Sequence, residues 1–281
     1  MSAVWRARRC RPGDVEHLEL WCEETPSGPL WREVGSDRAE ALRRAGATFA
    51  EVALELARAL APVLVRVAAE QRCERVYVAG GLSSLDGMGR LLARETGLPV
   101  ALDPEGSFAG IRGGHVLLRQ TGSPGAVVDV GQTAIKAACG ERRVVHPRDF
   151  QALPRLYIDP ERPPPSDPGR GTRAASFVAG ACVEVLAGAP DAPLLLALPG
   201  PMDEVLLPGP CSYGWQGDAS FFPALLSLLD ERLPGGGELL VLNDAELAAE
   251  SARERLSPGP GERVLCVTLG FGPGGAVLAP E

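Results

Sequence analysis

Hydrophobic and polar positions change period repeatedly along the chain. Residues 3–8 (AVWRAR) alternate apolar and polar, which predicts a strand. Residues 10–35 lose that rhythm among prolines and glycines and read as a loop region. Ser36 is placed to cap a helical pattern over 37–44. A longer helical pattern follows from about 47 to 70, with Leu54, Ala57, Leu60, Leu64 and Val67 on one face and Pro62 as a point of kinking. RVYVA (75–79) predicts a buried strand ending in Gly80-Gly81, GMGRLLARETG a short helix stopped by Gly97, PVALD (99–103) a strand, and FAGIRGGHVLL a helix. TGSPG (121–125) has the composition of a linker. Two alternating runs follow over 127–138, then VVHP, then a Pro-rich loop around 160–170 that reads as exposed and mobile. A helix over 172–187, the strand PLLLALPG (193–200), the helix PALLSLLDERL, a strand running into a helix (238–256) and a strand–glycine loop–strand (262–278) complete the chain. Alternating β and α units of this kind predict an α/β fold.

Composition narrows the function classes. The 281 residues suit about two domains, and 45% hydrophobic with 23% charged residues is ordinary for a soluble globular protein. A net charge of −8 argues against a nucleic-acid partner. No apolar run reaches membrane-spanning length, and the basic N-terminus lacks the apolar segment of a secretory signal. Seven scattered cysteines without a CxxC pair predict reduced thiols and a cytoplasmic location. Lys136 is the one lysine against 27 arginines. Either a bias toward arginine or a local need for an ammonium accounts for it, and the bias is the simpler cause.

Three stretches carry candidate chemistry. In VVDVGQTAIKAA (127–138), Asp129 ends the first run and Gly131 sits in the turn, followed by Gln132 and Thr133. A glycine turn lets an anionic group approach the backbone amides, and a nearby carboxylate can hold Mg²⁺ or its waters. An ordinary hairpin turn is the competing reading. In GFGPGG, Gly270, Gly272 and Gly275 match GxGxxG, but no helix follows, so a second phosphate-binding hairpin fits better than a dinucleotide fold. No Gly-Lys pair exists, which excludes a P-loop. Asn243-Asp244 stands where a buried strand meets a helix, the place where open α/β sheets put ligands. Asp244 suits a general base for phosphoryl transfer, with a helix N-cap as the alternative.

Together these stretches resemble the ROK family of sugar kinases in the actin–hexokinase superfamily. VVDVGQTAIKAA resembles the first phosphate motif, and ALPGPMDEVLLPGPCSYGWQG, with Pro199 and Gly200, the substrate-side Pro-Gly segment. VLNDAELAAESA resembles the segment with the catalytic aspartate, and VTLGFGPGGAVL the second phosphate motif. What should follow downstream stands instead at the N-terminus: PGDVEHLEL, aligning Asp14 and His17 with sugar-binding Glu and His, then RVYVAGGLSS on the adenosine side, then FAGIRGGHVLL. The resemblance is therefore circularly permuted, with the new termini between two arms of one hairpin. It predicts that strand 3–8 pairs with 275–279.

The resemblance implies two ribonuclease-H-like α/β domains closing over a cleft, one of 122–242 and one assembled from 1–121 and 243–281. It implies an ATP- and Mg²⁺-dependent kinase acting on a hydroxyl of a sugar or polyol, with a homodimer as the family's habit. Asp244 would be the base. Asn243, Asp14, His17, Pro199 and Gly200 would contact substrate. Asp129 would organise Mg²⁺, and Gly131, Gln132, Thr133, Lys136, Gly270, Phe271 and Gly272 would surround the phosphates, with Gly80 and Gly81 beside the adenosine. The departures are specific. Asp14 is one methylene shorter than Glu, Gly28-Pro29-Leu30-Trp31 replaces a Cys and a second sugar-binding Glu, Gln132 replaces a Gly, and Phe271 replaces a small hydroxyl residue. Cys10, His17 and Cys22 would supply at most three ligands where structural zinc takes four, so a metal-free loop is expected. A non-catalytic binding protein on the same scaffold, or an ATPase without a sugar acceptor, are the alternatives.

Overall fold

The computed structural model describes residues 4–122, 124–156 and 167–281, so most of the Pro-rich loop lies outside the described residues. The chain divides into two compact units. One holds the residues up to Arg11 together with Gly114–Asp244, and the other holds Pro12–Gly113 together with Ala245–Glu281.

The strands in chain order are β1 (Trp5–Arg9), β2 (Val15–Leu18), β3 (Glu24–Thr25), β4 (Gly28–Pro29), β5 (Arg75–Ala79), β6 (Val100–Leu102), β7 (Ala126–Val130), β8 (Ala134–Cys139), β9 (Arg142–Pro147), β10 (Leu194–Leu198), β11 (Gly237–Asn243), β12 (Val264–Leu269) and β13 (Pro273–Leu278). The helices are α1 (Leu30–Glu33), α2 (Ser36–Arg44), α3 (Phe49–Glu70), α4 (Met88–Thr96), α5 (Ala109–Gln120), α6 (Arg170–Leu186), α7 (Phe221–Arg232) and α8 (Asp244–Leu256).

The first unit is built on a sheet of order β1-β11-β10-β7-β8-β9. β7 is parallel to β10 and antiparallel to β8, and β10, β11 and β1 continue in parallel. The inner strands β7 and β10 are buried at every position, as parallel strands covered on both faces require. α6 and α7 bring Val178, Val185, Phe221 and Leu225 onto this sheet. The register sets Asp129 beside Ala197, and Leu198 beside Asn243. The carboxyl ends of β7, β10 and β11 therefore finish along one edge, with Asp129 and Asn243 on strands about 10 Å apart.

The second unit repeats the plan with order β2-β13-β12-β5-β6. Central β12 is antiparallel to β13 and parallel to β5. Its core forms where α3 lays Val52, Leu56, Leu60 and Leu64 against β5 and β12. A capping box at Thr48 and Glu51 starts α3, and the helix runs past Pro62, which is exposed to solvent where a lost backbone donor is cheap. Leu56 holds the buried position that spacing alone gave to Leu54, which is half-exposed.

Each of the two units thus holds one mixed α/β sheet of matching strand plan. One expectation is overturned. β1 does not pair with residues 275–279. It lies parallel to β11, with Trp5 opposite Gly237, and the partner of β13 is β2, with Val15 opposite Leu278. Trp5 explains the choice: its indole is buried, its ring lies over Gly237, and its backbone amide donates to Asp230 at 2.7 Å. The first residues accordingly belong with 114–244 rather than with 12–113.

Candidate functional site

The first unit gathers Asp129, the hairpin turn, the Pro-Gly segment and Asn243-Asp244 at the carboxyl ends of its parallel strands. Asp129 is 8% exposed, and burial raises its pKa; the opposing pull comes from Lys136, its cross-strand partner. A carboxylate short of neutralising charge in a dry place is a fitting ligand for a divalent cation or its waters. Lys136 also reaches the turn. Its ammonium would stand 3.5 Å from a Cβ built on Gly131, so the chain's single lysine lies over that glycine.

Gly131 does not adopt a positive φ. It is required because a Cβ there would sit 2.8 Å from the Ala134 carbonyl oxygen. The carbonyl side of the turn is held by the protein. The Tyr213 hydroxyl donates to Gly131 O at 2.9 Å, Arg148 Nη1 to Gln132 O at 3.0 Å, and the Arg148 backbone amide to Thr133 O at 3.0 Å. Gln132, which replaces a glycine, is tolerated because its side chain turns to the Ser212 hydroxyl. Thr133 is exposed.

Pro199 is buried, and Gly200 adopts φ +83° with its missing Cβ only 2.4 Å from the Pro210 carbonyl oxygen. Asn243, 2% exposed, donates its side-chain amide to Gly200 O at 2.6 Å, so it braces this turn. Asp244 opens α8 and is half-buried. Its charge reaches the buried Cys211 thiol, whose pKa is pushed up to about 12, chiefly by burial.

The second unit carries the other glycine loop. Gly270 and Phe271 accept from the Ser36 amide at 2.9 and 3.3 Å, at the start of α2. Gly35 lets this happen, since a Cβ there would lie 2.0 Å from the Phe271 carbonyl oxygen. Gly80 has φ +93° and would drive a Cβ to 2.4 Å from the Leu269 carbonyl oxygen. By contrast, Gly81, Gly270 and Gly272 have no positive φ, and a Cβ on any of them meets nothing within 4 Å. Among the described residues nothing would meet a Cβ at these three positions.

Asp14 is engaged differently from the sugar-binding role that the alignment gave it. Both of its oxygens accept from Arg253, one at 2.6 Å from Nη1, and Arg253 also binds the fully buried Glu250 with Nε at 2.9 Å. The two carboxylates raise the pKa of the half-buried guanidinium against the cost of its burial. His17 lies on β2 opposite Ala276. Cys10 follows β1 in the first unit, while Cys22 belongs to the second. Cys22 is exposed, and its thiol donates to Glu19 at 3.8 Å. Among the described residues no group of three or more His, Cys, Asp and Glu is arranged to hold a metal, and no helix is long and apolar enough to cross a membrane.

No protein-family model and no curated protein matches the chain. Among solved structures, the crystal structure of ROK hexokinase from Thermus thermophilus is similar, at 15% identity over 82% of this chain and 90% of that chain, with a TM-score of 0.39. A likeness of that size carries no functional argument, and the two sheets and their registers stand on their own.

Sequence reasoning missed Arg148, Ser212 and Tyr213 behind the first turn and Gly35-Ser36 behind the second. PCSYGW had drawn attention only for its Gly-Trp. Nothing in local sequence distinguishes Arg148 from 26 other arginines.

Proposed function

We propose that the protein is an ATP- and Mg²⁺-dependent kinase of a sugar or polyol hydroxyl. The observation that carries this reading is that three glycines of the candidate motifs lack a steric reason, as do Gly13, Gly188 and Gly259. Gly81, Gly270 and Gly272 face open space without a positive φ, although glycine costs conformational entropy. Close approach of a ligand to the backbone explains them, as it does in phosphate loops. Asp129 supports the same reading as a buried, under-neutralised carboxylate beside the first turn. Bound with nucleotide, Mg²⁺ would supply charge neutralisation at the phosphates. Asp244 would take the proton of the substrate hydroxyl as its oxygen bonds to the terminal phosphorus and the ADP oxygen leaves. Asn243 would hold the Pro-Gly turn in shape for the substrate.

The chain also reads as circularly permuted. In the second sheet, the central strand β12 and its hairpin partner β13 end the chain, while the third strand, β2, stands near its start. In the first sheet the corresponding strands β7, β8 and β9 run consecutively. The pairing of Asp14 with Arg253 is the one observation favouring a binding protein that does not turn over, because it draws a sugar-binding candidate into an internal ion pair.

Paired substitutions test the glycine argument. Gly272→Ala should leave Tm unchanged and weaken MgATP binding by about 10–100-fold, the loss expected for one displaced charged hydrogen bond. Gly35→Ala should lower Tm by several °C, since overpacking of this kind costs about 1–3 kcal/mol. Calorimetric titration and thermal melts read both. Wild-type affinity in folded Gly272→Ala would remove the reason for the glycine.

A further inference from the structure

The most unusual side chain in the first unit belongs to none of the motifs. Arg148 is 4% exposed, yet among the described residues no carboxylate pairs with it. Its five hydrogen bonds all go to neutral oxygens: Nε to Leu153 O at 2.8 Å, Nη1 to Gln132 O at 3.0 Å and Ser212 Oγ at 2.8 Å, and Nη2 to Pro154 O at 3.0 Å and Ser212 O at 2.9 Å. The guanidinium also lies 3.8 Å from the centroid of the Tyr213 ring, which stacks on Trp215 at 4.6 Å. Burying an arginine without an anion is costly, and Arg155 and Arg170 add repulsion. Stability alone is served more cheaply by an apolar residue of similar size.

The fork is spent on one object. It ties the turn 131–133 to the 153–154 and 212–213 segments, and Tyr213 completes the tie through its hydroxyl on Gly131 O. Four of the five Arg148 bonds and the Tyr213 bond fix carbonyl oxygens, and the fifth Arg148 bond holds the Ser212 hydroxyl. With the carbonyls of Gly131, Gln132 and Thr133 held by the protein and the Gly131 amide donating to Asp129 O at 3.1 Å, the turn has the Gln132 and Thr133 amides left as donors for a ligand. The unpaired charge lies directly behind, where an anion on the far side would supply its counterion. We propose that Arg148, with Tyr213, is the positioning residue that shapes the first hairpin turn for an anionic phosphate chain.

This inference rests on the kinase reading, and its test separates the two. MgATP affinity is measured by calorimetry for wild type, Arg148→Lys, Tyr213→Phe and a control, Val178→Ala, which opens a cavity in the same core without removing a hydrogen bond to the turn. Lysine keeps the charge but cannot form the fork. Phenylalanine keeps the ring and removes one donor. Arg148→Lys should weaken MgATP about 10–100-fold and Tyr213→Phe about threefold to tenfold, while Val178→Ala keeps wild-type affinity despite a lower Tm. If Arg148→Lys does not fold, Tyr213→Phe against Val178→Ala decides. Wild-type affinity in both Arg148→Lys and Tyr213→Phe, or an equal loss in Val178→Ala, overturns the role of Arg148 and leaves the kinase reading standing. A wild-type protein that binds no MgATP overturns the kinase reading, and this inference with it.

Discussion

Asp244→Asn should lower sugar-dependent ADP release by about 10²–10⁴-fold, the range for loss of a general base. Three features make this a functional and not a folding effect. Asp244 is the half-buried first residue of α8, a helix whose next residues, Ala245–Ser251, are all buried. Asparagine keeps the size and the capping ability of the side chain, so the helix start loses little. The neighbouring brace, from Asn243 to Gly200 at 2.6 Å, does not involve the Asp244 side chain. Affinity for MgATP should therefore stay near wild type while turnover collapses. A kinetic split of this kind, seen together with an unchanged Tm, assigns the carboxylate to the proton transfer. Equal turnover in wild type and Asp244→Asn would remove it from that role and leave it as a helix cap.

Asp129→Asn should produce opposite effects on stability and on activity. Burial raises the Asp129 pKa, so between the ordinary carboxylate value of 3.8 and its raised folded value the native state holds more protons than the unfolded chain. Stability therefore falls as pH rises through that window, and the penalty is full above it. Asparagine never ionises and escapes the penalty. Its Tm at neutral pH should exceed wild type by a few °C, and the difference should vanish as pH drops below the ordinary carboxylate range. Mg²⁺ dependence should move the other way, with apparent affinity for the ion in the presence of ATP weakened about 10–100-fold. A carboxylate that destabilises its own fold and is retained beside a glycine turn fits a functional site. Melts across pH and Mg²⁺ titrations of turnover read both halves, and a lower Tm at neutral pH in Asp129→Asn would contradict the electrostatic account.

The sequence carried the periodic elements well because their causes are local. The all-apolar strands flanking Asp129 and at 194–198, the Gly97 stop and the strand-to-helix switch at Asn243-Asp244 each follow from neighbours within a few residues. β2 was hidden because VEHL is four residues long and follows Pro12-Gly13, so no alternation can establish itself. The partner of β1 was misread because pairing depends on where Trp5 finds cover, and its cover, Gly237 and Leu233, lies at the other end of the chain. The same limit applies to the site. Asp129, Gly131 and Asp244 announce themselves by spacing. The groups that hold them in shape, Arg148 and Tyr213 behind one turn and Gly35 behind the other, act across long sequence separations, and their residue types are common. Gly80 and Gly81 illustrate the distinction: adjacent and alike in sequence, one is demanded by Leu269, while a Cβ on the other meets nothing among the described residues.

The central claim is phosphoryl transfer from ATP to a sugar or polyol hydroxyl, and ADP release measures it most directly. Wild-type protein with MgATP is titrated against a panel of hexoses, amino sugars and polyols. At least one acceptor should raise ADP release well above the acceptor-free rate, and Asp244→Asn should abolish the increase. ADP release that no acceptor stimulates, or none at all, would contradict it.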